Sequence, residues 1–142
     1  MARMKIDLPS RVLFSCTLPV RITDVNYDGH VGNDSLLSLL HEARLQFLRS
    51  MGYSEKDVEG KGIIMTDAVL VYKAEVFYGE TLAVEIGVAD VHRHGLDIVY
   101  RVTSNGKEAT RAKTGIAFFD YEKRSITSMP EEFRSRIASA EK

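Results

Sequence analysis

One long stretch of this chain, Asn33 to Met51, carries the apolar spacing of a helix, whereas almost everything after Lys61 alternates at the period of a strand. Leu36, Leu40, Ala43 and Phe47 form the apolar stripe, and Leu37, Leu39, Leu48 and Met51 widen it; Ser38, Glu42, Gln46 and Arg49 mark the opposite, polar face. Asn33 or Asp34 stands where a side chain can cap the first turn, and Gly52 stands at the expected C-cap. The later segments GIIMTDAVLVYKAEV, TLAVEIGVADVHR, LDIVYRVTS and ATRAKTGIAFFDY are rich in Val, Ile, Thr, Phe and Tyr. Tyr78-Gly79-Glu80, His94-Gly95 and Asn105-Gly106 separate them, the last being a strong hairpin signal. An earlier strand is expected from Val12 to Arg21, with Pro19 placing it at an edge, and Pro130 opens a short terminal helix. A lone long helix among antiparallel strands specifies an α+β fold in which a five-stranded sheet curls around that helix. Such a sheet leaves edges unpaired, so a homodimer or homotetramer joining two sheets is expected.

Bulk properties narrow the partners. At 142 residues the chain suits a single domain, 1–142, with a substantial core. A formal net charge of -1 supplies no basic field for a polyanion, so nucleic acid is not an expected partner. No apolar run approaches the ~18 residues of a membrane span. The N-terminal MARMKIDLPSRVLF has no signal-peptide core, and the single Cys16 cannot form an internal disulfide. A cytoplasmic location is the expectation.

The chemistry concentrates just before the helix, in Ile22 to Gly32. Gly29 and Gly32 flank His30 and let the backbone approach a ligand closely. Free N–H groups at the helix start, around Gly32, Asn33 and Asp34, carry partial positive charge and can hydrogen-bond a polarised carbonyl oxygen. Asp24, Asp28 and His30 can act as general bases, while Asn26 can orient a water but cannot take its proton. The plainer alternative is that the Asp and Asn residues build Asx-turns and caps and the glycines supply unusual dihedrals.

The string V-R-x-x-D-x-N-x-x-G-H-V-x-N, followed by L-x-x-x-x-E-A-R, resembles the signature of hotdog-fold acyl-CoA thioesterases of the 4-hydroxybenzoyl-CoA thioesterase family. Val20, Arg21, Asp24, Gly29, His30, Val31, Asn33, Glu42, Ala43 and Arg44 carry the likeness. The order of elements and the late segment Phe119 to Phe133 extend it over nearly the whole chain. The resemblance implies a hotdog fold and hydrolysis of an acyl-CoA; no cofactor and no metal are expected. Two positions depart from the pattern: Asn26 stands where the family places its working Asp, and Gly32 replaces the first Asn of a pair. An amide has no useful pKa, so the base must lie elsewhere or the activity has changed. Asp24-Val25-Asn26 also resembles the Asp-Val-Asn of plant acyl-ACP thioesterases, but His30 then lies two residues too far along. Alignment on Gly29-His30-Val31 keeps the loop length and puts Asn26 at the catalytic position.

The resulting expectation places the thioester carbonyl at the helix start, with the Asn33 N–H as donor and Asn26 holding the attacking water. His30, Asp24 or a partner carboxylate accepts the proton. Asp67, a charge within IIMTDAVLVY, is expected to line the site from the other subunit or to bond to the loop; Arg93, His94, Arg111 and Lys113 are candidates for CoA phosphates. Glu42, His41 and Arg44 suit a solvated helix face or packing and pairing, and Cys16 a buried thiol. His92-x-His94 lacks a convincing third metal ligand. Two rival functions stay open: a non-hydrolytic acyl-CoA-binding or sensor protein, suggested by the missing Asp, and a hotdog enoyl-CoA hydratase, whose Asp-x-Asn-Pro-x-His motif is matched here without its Pro.

Overall fold

The alternating segments form strands, and the helical stripe lies across them. In the computed structural model, residues 4–140 are described. The elements run β1 (Phe14–Pro19), a 3-10 turn (Ile22–Asp24), α1 (Asn33–Ser50), β2 (Gly62–Tyr72), β3 (Thr81–Ala89), β4 (Gly95–Ser104), β5 (Lys107–Asp120), β6 (Ser125–Ile126) and α2 (Glu131–Ala140). The sheet order is β1-β3-β4-β5-β2, antiparallel throughout, with β6 pairing onto β5. The five expected strands are present; β6, only two residues long, is an addition that the sequence pattern did not reveal. β1 is indeed an edge strand, shorter at both ends than expected. Asn105 and Gly106 both take positive φ in the β4–β5 turn, as an Asn-Gly hairpin requires.

Period-two alternation sends Leu82, Val84, Ile86 and Val88 of β3, and Leu96, Ile98, Tyr100 and Val102 of β4, into the core. Leu40 and Ala43 of α1 are fully buried against this surface, and Phe47 and Leu48 continue the contact. Burial of one such leucine contributes roughly 2 kcal/mol. The other face of the sheet is covered in part by the residues preceding β1. Leu13 donates its N–H to the Ile86 carbonyl at 2.8 Å, and Arg111 Nη1 donates to the Ile6 carbonyl at 3.0 Å. Gly87 admits this strap, because a Cβ there would lie 2.5 Å from Cγ of Pro9.

The ends of α1 decide what the helix can do. Its N-cap is Gly32, not Asn33 or Asp34, and no side chain caps it. The cause lies in the loop: Gly32 donates its N–H to the Asp24 carbonyl at 3.1 Å, which starts the helix one residue early. At the other end Gly52, at φ +85°, donates to the Arg49 carbonyl, and Tyr53 donates to that of Leu48. This is a Schellman stop, so Gly52 follows the C-cap residue Met51. Arg136 of α2 also donates to the Met51 carbonyl at 2.7 Å, and Phe133 packs edge-on against Phe118. No helix among the described residues is long and apolar enough to cross a membrane.

Candidate functional site

Asp24 builds the frame of the loop. Its carboxylate, buried to 4% exposure, accepts the Arg21 N–H at 2.8 Å and faces the Arg21 guanidinium at 3.3 Å. Beyond it the chain doubles back: Asn26 donates its N–H to the His30 carbonyl, Gly29 donates to that of Asn26, and Val25 bridges Val31. Gly29 sits at φ +84°, a conformation that an L side chain would resist. The Asn26 amide oxygen accepts the Asp28 N–H at 2.9 Å in an Asx-turn, leaving its NH2 group free of that turn. The loop then docks on the stretch after β2, where Val31 donates to the Val76 carbonyl at 2.8 Å and His30 bridges Phe77.

This docking encloses a cleft of about 310 Å³ between the start of α1 and residues 72–76. His30, Asn33 and Glu75 line its polar side, and Leu36, Val76, Leu82, Val102 and Ala109 line its apolar side. Three helix N–H groups, those of Asn33, Asp34 and Ser35, lie in the uncapped first turn; the Leu36 N–H already bonds the Gly32 carbonyl. The Gly32 N–H is engaged by Asp24 and is not one of the free donors. Tyr72 stands close to Asp34: burial, then the Asp34 charge, pushes its phenol above the ordinary range. Lys73 reaches away to Glu108 at 3.5 Å.

The remaining candidates scatter. Asn26 is exposed on the loop, beside the helix start: a Cβ on Gly32 would lie 4.0 Å from its own. Asp67 is not buried and does not reach the loop. A bulge between Met65 and Asp67 turns its side chain over Gly115, where a Cβ would meet it at 1.9 Å, and its nearest partner is the Thr66 hydroxyl at 2.8 Å. Lys113, one residue from the buried Thr114, is on the outer face of the sheet. There Asp97 is held above the usual carboxylate range, first by burial and next by Asp90 and Asp67, against the opposing charge of Lys113. Arg93 donates to the Ser128 hydroxyl at 3.3 Å in the β3–β4 turn, and His94 donates its N–H to His92 Nδ1. Arg111 is tied to Glu108 and Ile6. None of these lines the cleft in a single chain.

On the helix, Glu42 is exposed and accepts from Gln46 at 2.8 Å. Arg44 is buried; its Nε donates to Glu55 at 2.9 Å and its Nη1 to the Tyr100 hydroxyl at 3.3 Å. His41 completes the group through Glu55 at 2.9 Å. The half-buried Cys16 is a poor nucleophile, because burial, then the Glu42 charge, pushes its thiol up. Sequence spacing did not single out Glu75 or Tyr72. The only local signal was a charge in K-A-E-V after an apolar run, and their closeness to His30 and Asp34 exists only once β2 returns past the loop.

Residues 20–137 match the thioesterase-like superfamily. No curated protein sequence matches significantly. Similar solved structures include a hypothetical protein from Staphylococcus aureus in complex with CoA, at TM-score 0.83 and 17% identity over 96% of this chain and 88% of that one. A thioesterase from Thermus thermophilus complexed with coenzyme A and Zn gives 0.81 and 22% over 94% and 98%. A 1,4-dihydroxy-2-naphthoyl-CoA thioesterase from Synechocystis gives 0.79 and 19% over 88% and 95%. At these identities the likeness is one of fold. The family match runs from the strand-to-loop junction into α2, and the chain therefore belongs to the thioesterase-like superfamily, with the hotdog fold of a long helix wrapped by an antiparallel sheet.

Proposed function

We propose that this protein is an acyl-CoA thioesterase, a single thioesterase-like domain over 1–142 that hydrolyses acyl-CoA to a carboxylic acid and free CoA in the cytoplasm. The observation that carries the reading is the uncapped first turn of α1 opening on the same cleft as His30. A thioester carbonyl oxygen placed at the Asn33 N–H gains negative charge as water adds to the carbon, and the helix end stabilises that charge. Each well-aimed donor of this type is worth about 2.7–4 kcal/mol of barrier. The acyl group enters among Leu36, Val76, Leu82, Val102 and Ala109, the apolar side of the cleft.

His30 takes the proton, since imidazole is the side chain whose ordinary titration falls nearest neutral pH. Asp24 is the weaker choice because Arg21 already occupies its carboxylate. The Asn26 NH2 group steadies the water from the loop, and Gly29 and Gly32 keep the backbone close. Asp67, Arg93 and Lys113 lie away from the cleft and enter no step of this scheme. A second copy fits the free edge of β2, an eleven-residue strand that, among the described residues, pairs only with β5 and exposes Met65 and Tyr72. Joined there, two sheets become one, in a homodimer or half of a homotetramer.

The test is free-thiol release from a panel of short, long and aryl CoA esters. Release that falls by about 100-fold or more in His30→Ala is the expected result. Tight CoA-ester binding without release would instead establish the acyl-CoA-binding reading, which the amide at Asn26 favours. Hydration of crotonyl-CoA would establish the hydratase.

A further inference from the structure

The base proposed above has a neighbour that the family pattern does not supply. Glu75 lies on the segment between β2 and β3, and its Oε1 is 3.8 Å from Nδ1 of His30, both residues lining the cleft. The imidazole is fixed on two other sides. Its backbone bridges Phe77, and its ring meets the Phe77 ring edge-on at 6.2 Å between centroids. The ring is therefore held beside one carboxylate while its other nitrogen stays available.

We propose that Glu75 is a positioning residue for His30, and that the two form a His–Glu dyad replacing the carboxylate lost at Asn26. The inference rests on His30 being the base. With Nδ1 protonated and directed at Glu75, Nε2 is left as the proton acceptor. Water adds its oxygen to the thioester carbon as Nε2 takes one of its protons. The carbon–sulfur bond then breaks, and the departing thiolate recovers that proton from Nε2. Glu75 stays ionised and stabilises the imidazolium between the two events. At 3.8 Å the two groups are within ion-pair range, and catalytic hydrogen bonds commonly tighten in the substrate complex.

The other charged and titratable groups nearby do not duplicate this role. Lys73 is held by Glu108 at 3.5 Å, Asp34 and Tyr72 stand together at the helix start, and Asp28 is on the exposed side of the loop. Asp24 is held by Arg21. Glu75 itself is largely exposed, at 67%, so its removal leaves no buried group unpaired and should not unfold the chain.

Glu75→Gln tests the dyad by pH–rate profile on whichever acyl-CoA the protein hydrolyses. The expected result is a kcat lower by about ten-fold with KM within about two-fold, because the interaction grows only as His30 becomes charged. A carboxylate beside an imidazole favours its protonated form, so losing it should move the acidic limb of kcat/KM to lower pH. Glu75→Asp should retain the position of that limb. A Glu75→Gln enzyme with unchanged kcat and an unmoved acidic limb overturns the dyad. If His30→Ala is inactive in the same assay, the dyad alone has failed; if His30→Ala retains full activity, the choice of base has failed as well.

Discussion

At the scale of single residues, the tightest constraints come from missing side chains. Gly95 opens β4 where its strand crosses β5, and a Cβ there would lie 1.8 Å from the Ile116 carbonyl oxygen and 2.9 Å from its carbonyl carbon. The obstacle is backbone, so no rotamer change relieves it. Gly95→Ala is expected to destabilise the fold by about 3 kcal/mol, read as a lower urea midpoint at unchanged slope. Gly115 makes room in the same way for the Asp67 carboxylate. Of the two expectations for Asp67, a bond to the loop before α1 is not made, because the bulge turns the carboxylate over Gly115.

Among elements, the start of α1 sets stability against chemistry. A helix of this length ordinarily gains from a Ser, Thr, Asp or Asn at its N-cap, and Gly32 forgoes that gain. Backbone angles of φ -73° and ψ 157° at Gly32 would accept an ordinary L residue, and the close neighbour of an added Cβ is the movable Asp34 carboxylate at 2.8 Å. Gly32→Ser should therefore fold, raise helix stability by a few tenths of a kcal/mol at most, and engage the Asp34 or Ser35 N–H, which removes part of the helix-end charge beside the Asn33 donor. Thermal melting and thiol release measured together should show an equal or higher Tm with kcat reduced about ten-fold or more. Equal or greater activity in this variant would mean that the Asp34 and Ser35 N–H groups contribute nothing, leaving the Asn33 N–H as the sole donor in question.

For the whole molecule, one buried polar group ties the helix to the sheet and to the loop after it. Arg44 of α1 joins Glu55 to Tyr100 of β4, and the Tyr100 hydroxyl bonds Thr114 of β5 at 2.9 Å. Burial pushes the Glu55 carboxyl up, but hydrogen bonds and charge from His41 and Arg44 outweigh it and hold the group below the ordinary glutamate range. A lowered folded-state value means stability that is fully present above the unfolded value, near 4.3, and lost as pH falls through the folded one. Urea unfolding at pH 6 should show Glu55→Gln less stable by about 1–2 kcal/mol, and the gap should narrow towards pH 3. A gap that stays constant over this range would mean that the charge on Glu55 contributes nothing.

Periodicity sufficed for the architecture, because burying one apolar helix stripe and the alternate residues of long strands leaves few arrangements besides a sheet wrapped on a helix. It also isolated the Gly-rich loop before α1. What the sequence could not determine was assignment within that loop. Whether Asp24 is a base or a brace depends on Arg21 folding back onto it, and whether Gly32, Asn33 or Asp34 begins the helix depends on one hydrogen bond to the Asp24 carbonyl. The closeness of His30 to Glu75 depends on β2 returning past the loop, and contacts between residues so far apart in the chain leave no mark on local spacing. Local pattern chose the elements; tertiary closure decided which polar groups were consumed in holding the loop and which were left facing the cleft.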